Sequence, residues 1–475
     1  MLSNRLFPAC PRAFMLASLL TLGAAASPAQ SLPAEVTAAL AKARVPSDAL
    51  TVLVTDVDGR IPPRLAHRAG AAVNPASIMK LVTTYAAIEH LGVGWTWRTP
   101  VYLDGPIQGD VLQGNVYIRG QGDPKLVVER LWLLLRRLQG LGIRSIQGDI
   151  VLDHSAFEAV ATDPAAFDGE PLRPYNAAPD ALLLNYKSFA LTLVPDARNG
   201  VAQVHLEPPL WGVRVPRSVP LAAAAECGDW RTALKADFSD PSQIRLGGVF
   251  AAGCGEKVWP VAYADPASFA ARAVEGLWRQ TGGQLTGRVR DGNVPAALVP
   301  TFELVSPALP EVIRDINKYS NNVMSQQLFL TLSLNARGNG TLAGSRELVR
   351  TWWKERFGDA ETPVLDNGAG LSRTERISAQ ALGRLLQAAW ASPQMPELVS
   401  SLPVTGVDGT LRRSKARAGG AAHLKTGSLR DVTGVAGYVH AASGRRYVLV
   451  AIVNHPGAAV ARPAIEALID WAQRD

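Results

Sequence analysis

Residues 423–455 read HLKTGSLRDVTGVAGYVHAASGRRYVLVAIVNH and give the clearest β signal in the chain. Three successive runs, HLKTGSL, GVAGYVHA and RRYVLVAIVNH, are apolar or alternating, and a Ser-Gly turn at Ser443 and Gly444 joins the second pair. They predict an antiparallel meander with Lys425, Thr426 and Gly427 on its first strand. The closing segment, ARPAIEALIDWAQRD, has helical spacing. Near the other end, PAEVTAALAKARV reads as an amphipathic helix and LTVLVTDVDGR as a buried strand ending in an Asp-Gly turn. An early helix and strand, a distant meander and a last helix can form one α/β (α+β) layer, with the middle of the chain inserted into it.

Next to the early strand, residues 74–92, NPASIMKLVTTYAAIEHLG, place apolar side chains at helical intervals after Pro75. Ser77 and Lys80 are three apart, so they share a face and can touch. Alone, S-x-x-K is equally a helix cap beside a surface lysine. Two further motifs give it company. Ser320, Asn321 and Asn322 form S-x-N inside a helical stretch, LPEVIRDINKYSNNVMSQQLFLTLS, and Lys425, Thr426 and Gly427 form K-T-G. In that order, S-x-x-K, S-x-N and K-T-G form the signature of serine acyl-transfer enzymes that react with penicillin. The reason is chemical: a serine hydroxyl is a weak nucleophile without an adjacent base, and a lysine serves as one only if burial or nearby positive charge depresses its pKa.

The 475 residues exceed one ordinary core, so two or three domains are expected. With 47% hydrophobic and 19% charged residues, the composition is that of a globular protein. Arg5 and Arg12, then AFMLASLLTLGAAAS, then small residues follow the order of a secretory signal cut after Ala29 or Ala26, so 1–29 is expected to be removed on export. The net charge of +7 is spread along the chain, which suits an envelope protein near anionic polymer and offers no basic run for nucleic acid. No later segment is long and apolar enough to span a bilayer; LWLLLRRLQG is interrupted by its own arginines. Outside the signal only Cys227 and Cys254 remain, an even pair suited to a disulfide in an oxidising compartment, with two buried thiols as the alternative. The histidines are scattered singly, so no metal site is expected, and no cofactor.

The chain resembles the class C, low-molecular-mass penicillin-binding proteins of the penicillin-binding protein 4 type, D-alanyl-D-alanine carboxypeptidases and endopeptidases of the bacterial envelope. The likeness runs through GQGDPKL (120–126), GDIVLDHSAF (148–157), KYSNN (318–322), LDNGAGLSR (365–373), LPVTGVDGTL (402–411) and KTGSL (425–429). It implies a transpeptidase/β-lactamase-like domain, an antiparallel sheet flanked by helices, split by nested β-rich inserts. The expected division is 30–97 with 293–475 for the catalytic part, 98–190 with 263–292 for a first insert, and 191–262 for a second. It also implies roles: Ser77 as nucleophile, Lys80 as base, Ser320 as proton relay, and the N–H groups of Ser77 and Ser428 for the oxyanion. Asn322, Lys425, Thr426 and Ser428 would hold substrate, with Arg373 and Asp153, and Phe157 beside them, around the stem diamino acid. Arg430 stands where some relatives carry glutamine. Expected partners are peptidoglycan peptides and β-lactam antibiotics, in the periplasm, with an oligomer possible. The rival functions are a serine β-lactamase, for which no E-x-x-L-N segment is found, and a non-catalytic envelope binding protein.

Overall fold

The computed structural model describes residues 31–159, 163–222 and 226–475; the expected signal, 1–29, lies outside them. The meander forms as Ala422–Leu429, Val432–His440 and Arg446–Asn454, with Lys425 opposite Ala436. Its third strand pairs antiparallel with the early strand Leu50–Asp56, Leu50 opposite Val453, and Leu65–His67 completes a five-stranded antiparallel sheet.

This sheet is buried on both faces, which is why its strands read as nearly continuous apolar runs. Successive side chains alternate between faces. Val448, Val450 and Ile452 enter one core with Leu81, Val82 and Tyr85 of the helix Lys80–Leu91 and Leu382 and Leu386 of Ala379–Ala391. Tyr447, Leu449 and Val453 enter the other with Leu40 of the first helix, Ala34–Ala43, and Leu468 and Ile469 of the last, Arg462–Gln473. Each fully buried Val, Leu or Ile side chain contributes about 1.5–3 kcal/mol. The elements that carry the three motifs are therefore anchored in a packed layer.

Between Leu91 and Leu309 the chain builds further sheets. One has the order Val289–Asp291, Ile150–Asp153, Val116–Arg119, Arg98–Leu103, Phe302–Val305. A second has the order Phe250–Ala251, Ser218–Ala222, Val201–Glu207, Ser188–Asp196, Lys257–Ala262. Helices Val128–Gly140 and Pro266–Gln280 pack with both sheets in a single apolar core that includes Leu134, Leu191, Phe250 and Trp278. The Cys227 and Cys254 sulfurs are 2.09 Å apart, at bonding distance. Among the described residues no helix is long and apolar enough to cross a membrane.

Candidate active site

Ser77 lies in a 3-10 turn, Ala76–Met79, that runs straight into the helix Lys80–Leu91. Asn74 fixes this turn. Its Oδ1 accepts the Ala76 N–H at 2.8 Å, its Nδ2 donates to the Ser372 carbonyl at 2.9 Å, and its backbone exchanges two hydrogen bonds with the Asn454 side chain at the sheet's end. Two glycines let backbone close in on both sides of the turn. A Cβ on Gly427 of K-T-G would sit 2.5 Å from the Pro75 carbonyl oxygen, and one on Gly370, at φ +77°, would sit 1.9 Å from that of Ala76. Only glycine fits at either position.

Ser320 ends the helix Leu309–Tyr319 in the left-handed conformation, φ 58°. Asn321 starts the next helix, Asn322–Arg337, its side chain accepting the Met324 N–H at 3.0 Å. The S-x-N motif is thus a junction of two helix ends, and it turns the Ser320 hydroxyl and the Asn322 amide to one side. The segment LPVTGVDGTL braces it: Asp408 pairs with the buried Lys318 amine at 2.6 Å, and Thr410 meets the Thr426 hydroxyl at 2.7 Å.

These elements converge. The Lys80 amine donates to Ser77 Oγ at 2.9 Å, to Asn322 Oδ1 at 2.7 Å and to the Ala369 carbonyl. The Lys425 amine donates to Ser320 Oγ at 2.8 Å and to the Thr426 carbonyl at 2.8 Å. Both lysines are fully buried. Burial lowers the Lys80 pKa to about 7, against the opposing pull of the Glu375 carboxylate. Burial also takes Lys425 well below the ordinary lysine value, helped by the charge of Lys80. Of the two ways to depress a lysine pKa, burial is the one that acts on Lys80, and the neighbouring charge acts on Lys425. A neutral amine beside a serine hydroxyl is a base ready to accept its proton.

Ser77, Ser320, Asn322, Ser428, Arg373 and Arg430 line one open cavity of about 570 Å³. An adjoining one, of about 320 Å³, takes Ser77, Ser320, Thr410, Thr426 and Ser428. The first is walled on its far side by Phe167, Asp168 and Tyr175, from a loop between the sheets. Arg373 stacks on the Phe167 ring at 4.6 Å and pairs with Asp431 at 3.3 Å. Asp168 accepts from the Tyr175 hydroxyl at 2.9 Å and the Asn176 amide at 2.8 Å.

Asp153 is not brought to this cleft. It sits buried on the strand Ile150–Asp153, where its carboxylate accepts the N–H groups of Ser155 and Val294 at 2.9 and 3.0 Å and faces Arg119 at 3.8 Å. Phe157 packs instead against Ala156, Ala181 and Leu330 in a small core. The acid in the cleft wall is Asp168, which the sequence reading passed over, as it did Phe167, Tyr175, Thr410 and the Ala369 carbonyl. Ala369 and Thr410 fall within two of the segments quoted for the resemblance, 365–373 and 402–411; the loop bearing Phe167 and Asp168 carries no motif.

The family model for D-Ala-D-Ala carboxypeptidase 3 (S13) matches residues 32–475. The chain is 26% identical over 393 residues to D-alanyl-D-alanine carboxypeptidase DacB of Haemophilus influenzae, covering 80% of each chain. It is 27% identical over 417 residues to a D-alanyl-D-alanine carboxypeptidase of Actinomadura sp. strain R39, covering 82% of this chain and 75% of that one. Its fold is similar to the crystal structure of penicillin binding protein 4 from Haemophilus influenzae, with a TM-score of 0.72 and 22% identity over 92% of this chain and 99% of that one.

Proposed function

The chain belongs to the D-Ala-D-Ala carboxypeptidase 3 (S13) family, and we propose that it is a serine D-alanyl-D-alanine carboxypeptidase and DD-endopeptidase of peptidoglycan stem peptides, working through an acyl-enzyme that penicillins also form. The observation that carries the reading is the pairing of two fully buried lysines with two hydroxyls at one cleft, Lys80 with Ser77 at 2.9 Å and Lys425 with Ser320 at 2.8 Å.

In this reading Ser77 Oγ attacks the carbonyl of the penultimate D-alanine and its proton passes to the Lys80 amine. The backbone N–H groups of Ser77 and Ser428 receive the oxyanion; one such donor is worth about 3 kcal/mol in the transition state. The C–N bond then breaks, and Ser320, with Lys425 behind it, delivers a proton to the departing amine. Water entering after the amine leaves then attacks the ester carbonyl, giving a proton to Ser320, and as the ester C–O bond breaks Lys80 returns its proton to Ser77. Asn322 holds the acyl-side amide. Thr426 and Ser428, with the Lys425 charge near them, hold the terminal carboxylate. Arg373, over Phe167 in the cavity that Asp168 also lines, meets the stem's side chain.

The catalytic part comprises 30–97 and 293–475; of the inserts, 98–190 with 263–292 and 191–262, the first brings Phe167, Asp168 and Tyr175 to the outer wall. The protein works in the periplasm after loss of 1–29, with Cys227 and Cys254 as a disulfide, consistent with their 2.09 Å separation. Labelling with a fluorescent penicillin tests the reading. A long-lived adduct on the wild type and none on Ser77→Ala is expected; absence of any adduct overturns it, and rapid turnover of the penicillin assigns a β-lactamase instead. Mass analysis of defined muropeptides then separates release of terminal D-alanine from crosslink cleavage.

A further inference from the structure

Glu375 is fully buried two residues past the segment LDNGAGLSR. One carboxylate oxygen, Oε1, accepts the N–H groups of Asp366, Asn367 and Gly368 at 3.0, 3.2 and 3.1 Å. The Gly368 carbonyl is pinned in turn by the hydroxyls of Thr83 at 2.6 Å and Ser325 at 2.9 Å. The next carbonyl along, that of Ala369, accepts from the Lys80 amine. The loop is therefore held from its donor side by Glu375 and from its acceptor side by the helices that carry Lys80 and Asn322.

The other oxygen, Oε2, is buried with no hydrogen-bond partner among the described residues. The charge strengthens the three N–H bonds to Oε1, but it leaves Oε2 unpaired in the interior, which costs stability. The charge does act on Lys80, whose hold on a proton it strengthens. The charged and titratable groups around the two are few. Lys425 lies on the neighbouring strand, Asp366 belongs to the same loop, and the Asp366 carboxylate is taken up by Arg346 of the helix Leu342–Phe357 at 2.9 Å. Arg373 turns out to Asp431, and Arg376 donates to the carbonyls of Arg373 and Glu375. The helix Asn322–Arg337 presents only the neutral Asn322 and Ser325 here.

We propose that Glu375 is a positioning residue of acylation: its Oε1 clamp sets the 366–369 loop so that the Ala369 carbonyl fixes the Lys80 amine beside Ser77, and its charge governs how readily that amine holds a proton. The inference rests on the reading of Ser77 as nucleophile and Lys80 as base. Burial raises the Glu375 pKa to about 7, against the loop N–H groups, so it titrates over the same range as Lys80. The Glu375 charge raises the Lys80 pKa against the burial that lowers it, so the amine's affinity for a proton is set locally rather than by bulk pH alone.

The test is the second-order rate of penicillin acylation across neutral pH for three variants of the full chain, with near-ultraviolet circular dichroism to report folding. Glu375→Gln keeps an oxygen for the loop and loses the charge, so the acid limb of the profile moves to lower pH by about one pH unit. Glu375→Asp keeps the charge on a shorter arm; its limb stays with the wild type while the rate falls. Glu375→Ala loses both and acylates roughly 100-fold more slowly at every pH. A Glu375→Gln profile that superimposes on the wild type overturns the charge role even if Glu375→Ala fails to fold, and wild-type rates in Glu375→Ala overturn the clamp. No adduct on the wild type itself would sink the underlying reading of Ser77 instead.

Discussion

The two walls of the cleft are built on opposite physical terms. The inner wall holds Lys80 and Lys425 with no solvent exposure, each amine satisfied by backbone carbonyls and side-chain oxygens. The outer wall is a loop of ring stacking and exposed pairs: Arg373 and Asp431 are half exposed, and Asp168 is clipped by Tyr175 and Asn176. Desolvation gives the inner wall a base at neutral pH and makes it intolerant of displacement. Solvent screens the outer wall, where a single exposed ion pair is worth well under 1 kcal/mol. Proton transfer demands the first environment, and recognition of a flexible peptide tolerates the second.

Substitutions can push on each side of this contrast. The sharpest is Gly370→Ala, which touches no reacting atom. Its methyl would meet the Ala76 carbonyl at 1.9 Å in a left-handed backbone, so the Ser77 turn must move, and penicillin acylation should fall about 100-fold or more. If it does not, the inner wall is softer than its packing implies.

Lys80→Met should change both rate and stability. Acylation falls by about 10²–10⁴ with loss of the general base. The folded chain holds Lys80 at about 7 against an ordinary 10.5, so the unfolded chain binds more protons between those values and the wild type gains stability as pH rises across that window. Methionine removes this dependence, but it leaves Asn322 Oδ1, the Ala369 carbonyl and the buried Glu375 without their cation, so denaturant unfolding should show a less stable variant whose stability no longer rises across that window. The wild-type acylation rate should correspondingly rise through pH about 7 as the amine loses its proton.

The smallest effects belong to the outer wall. Arg373→Ala should raise KM for a stem peptide by about tenfold and leave penicillin acylation within about twofold, and Asp431→Ala should change either by about twofold at most. An equal loss toward peptide and penicillin would place Arg373 with the inner wall.

The same contrast decides what the sequence could tell. Ser77, Lys80, Ser320, Asn322 and Lys425 are found by motif because the chemistry restricts residue type and local spacing together, and the doubly buried strands are found because Val448–Val453 cannot be anything but core. Glu375 escapes because its partners are backbone N–H groups of its own loop, which any sequence supplies. Asp168 and Phe167 escape because a loop placed by distant sheets has no period to read. Asp153 illustrates the converse: a good segment likeness put an acid near the pocket, yet two backbone donors, Ser155 and Val294, just past the ends of its own strand and the neighbouring one, occupy that carboxylate.

The strand Leu50–Asp56 has its long partner only in Arg446–Asn454, and the first helix rests against the last. A ribosome must therefore deliver nearly the whole polypeptide before the earliest strand finds that long partner, while the sheets between can mature on their own schedule. Until those final strands arrive Ser320 lacks Lys425, so hydrolytic competence is the last property the newborn chain acquires.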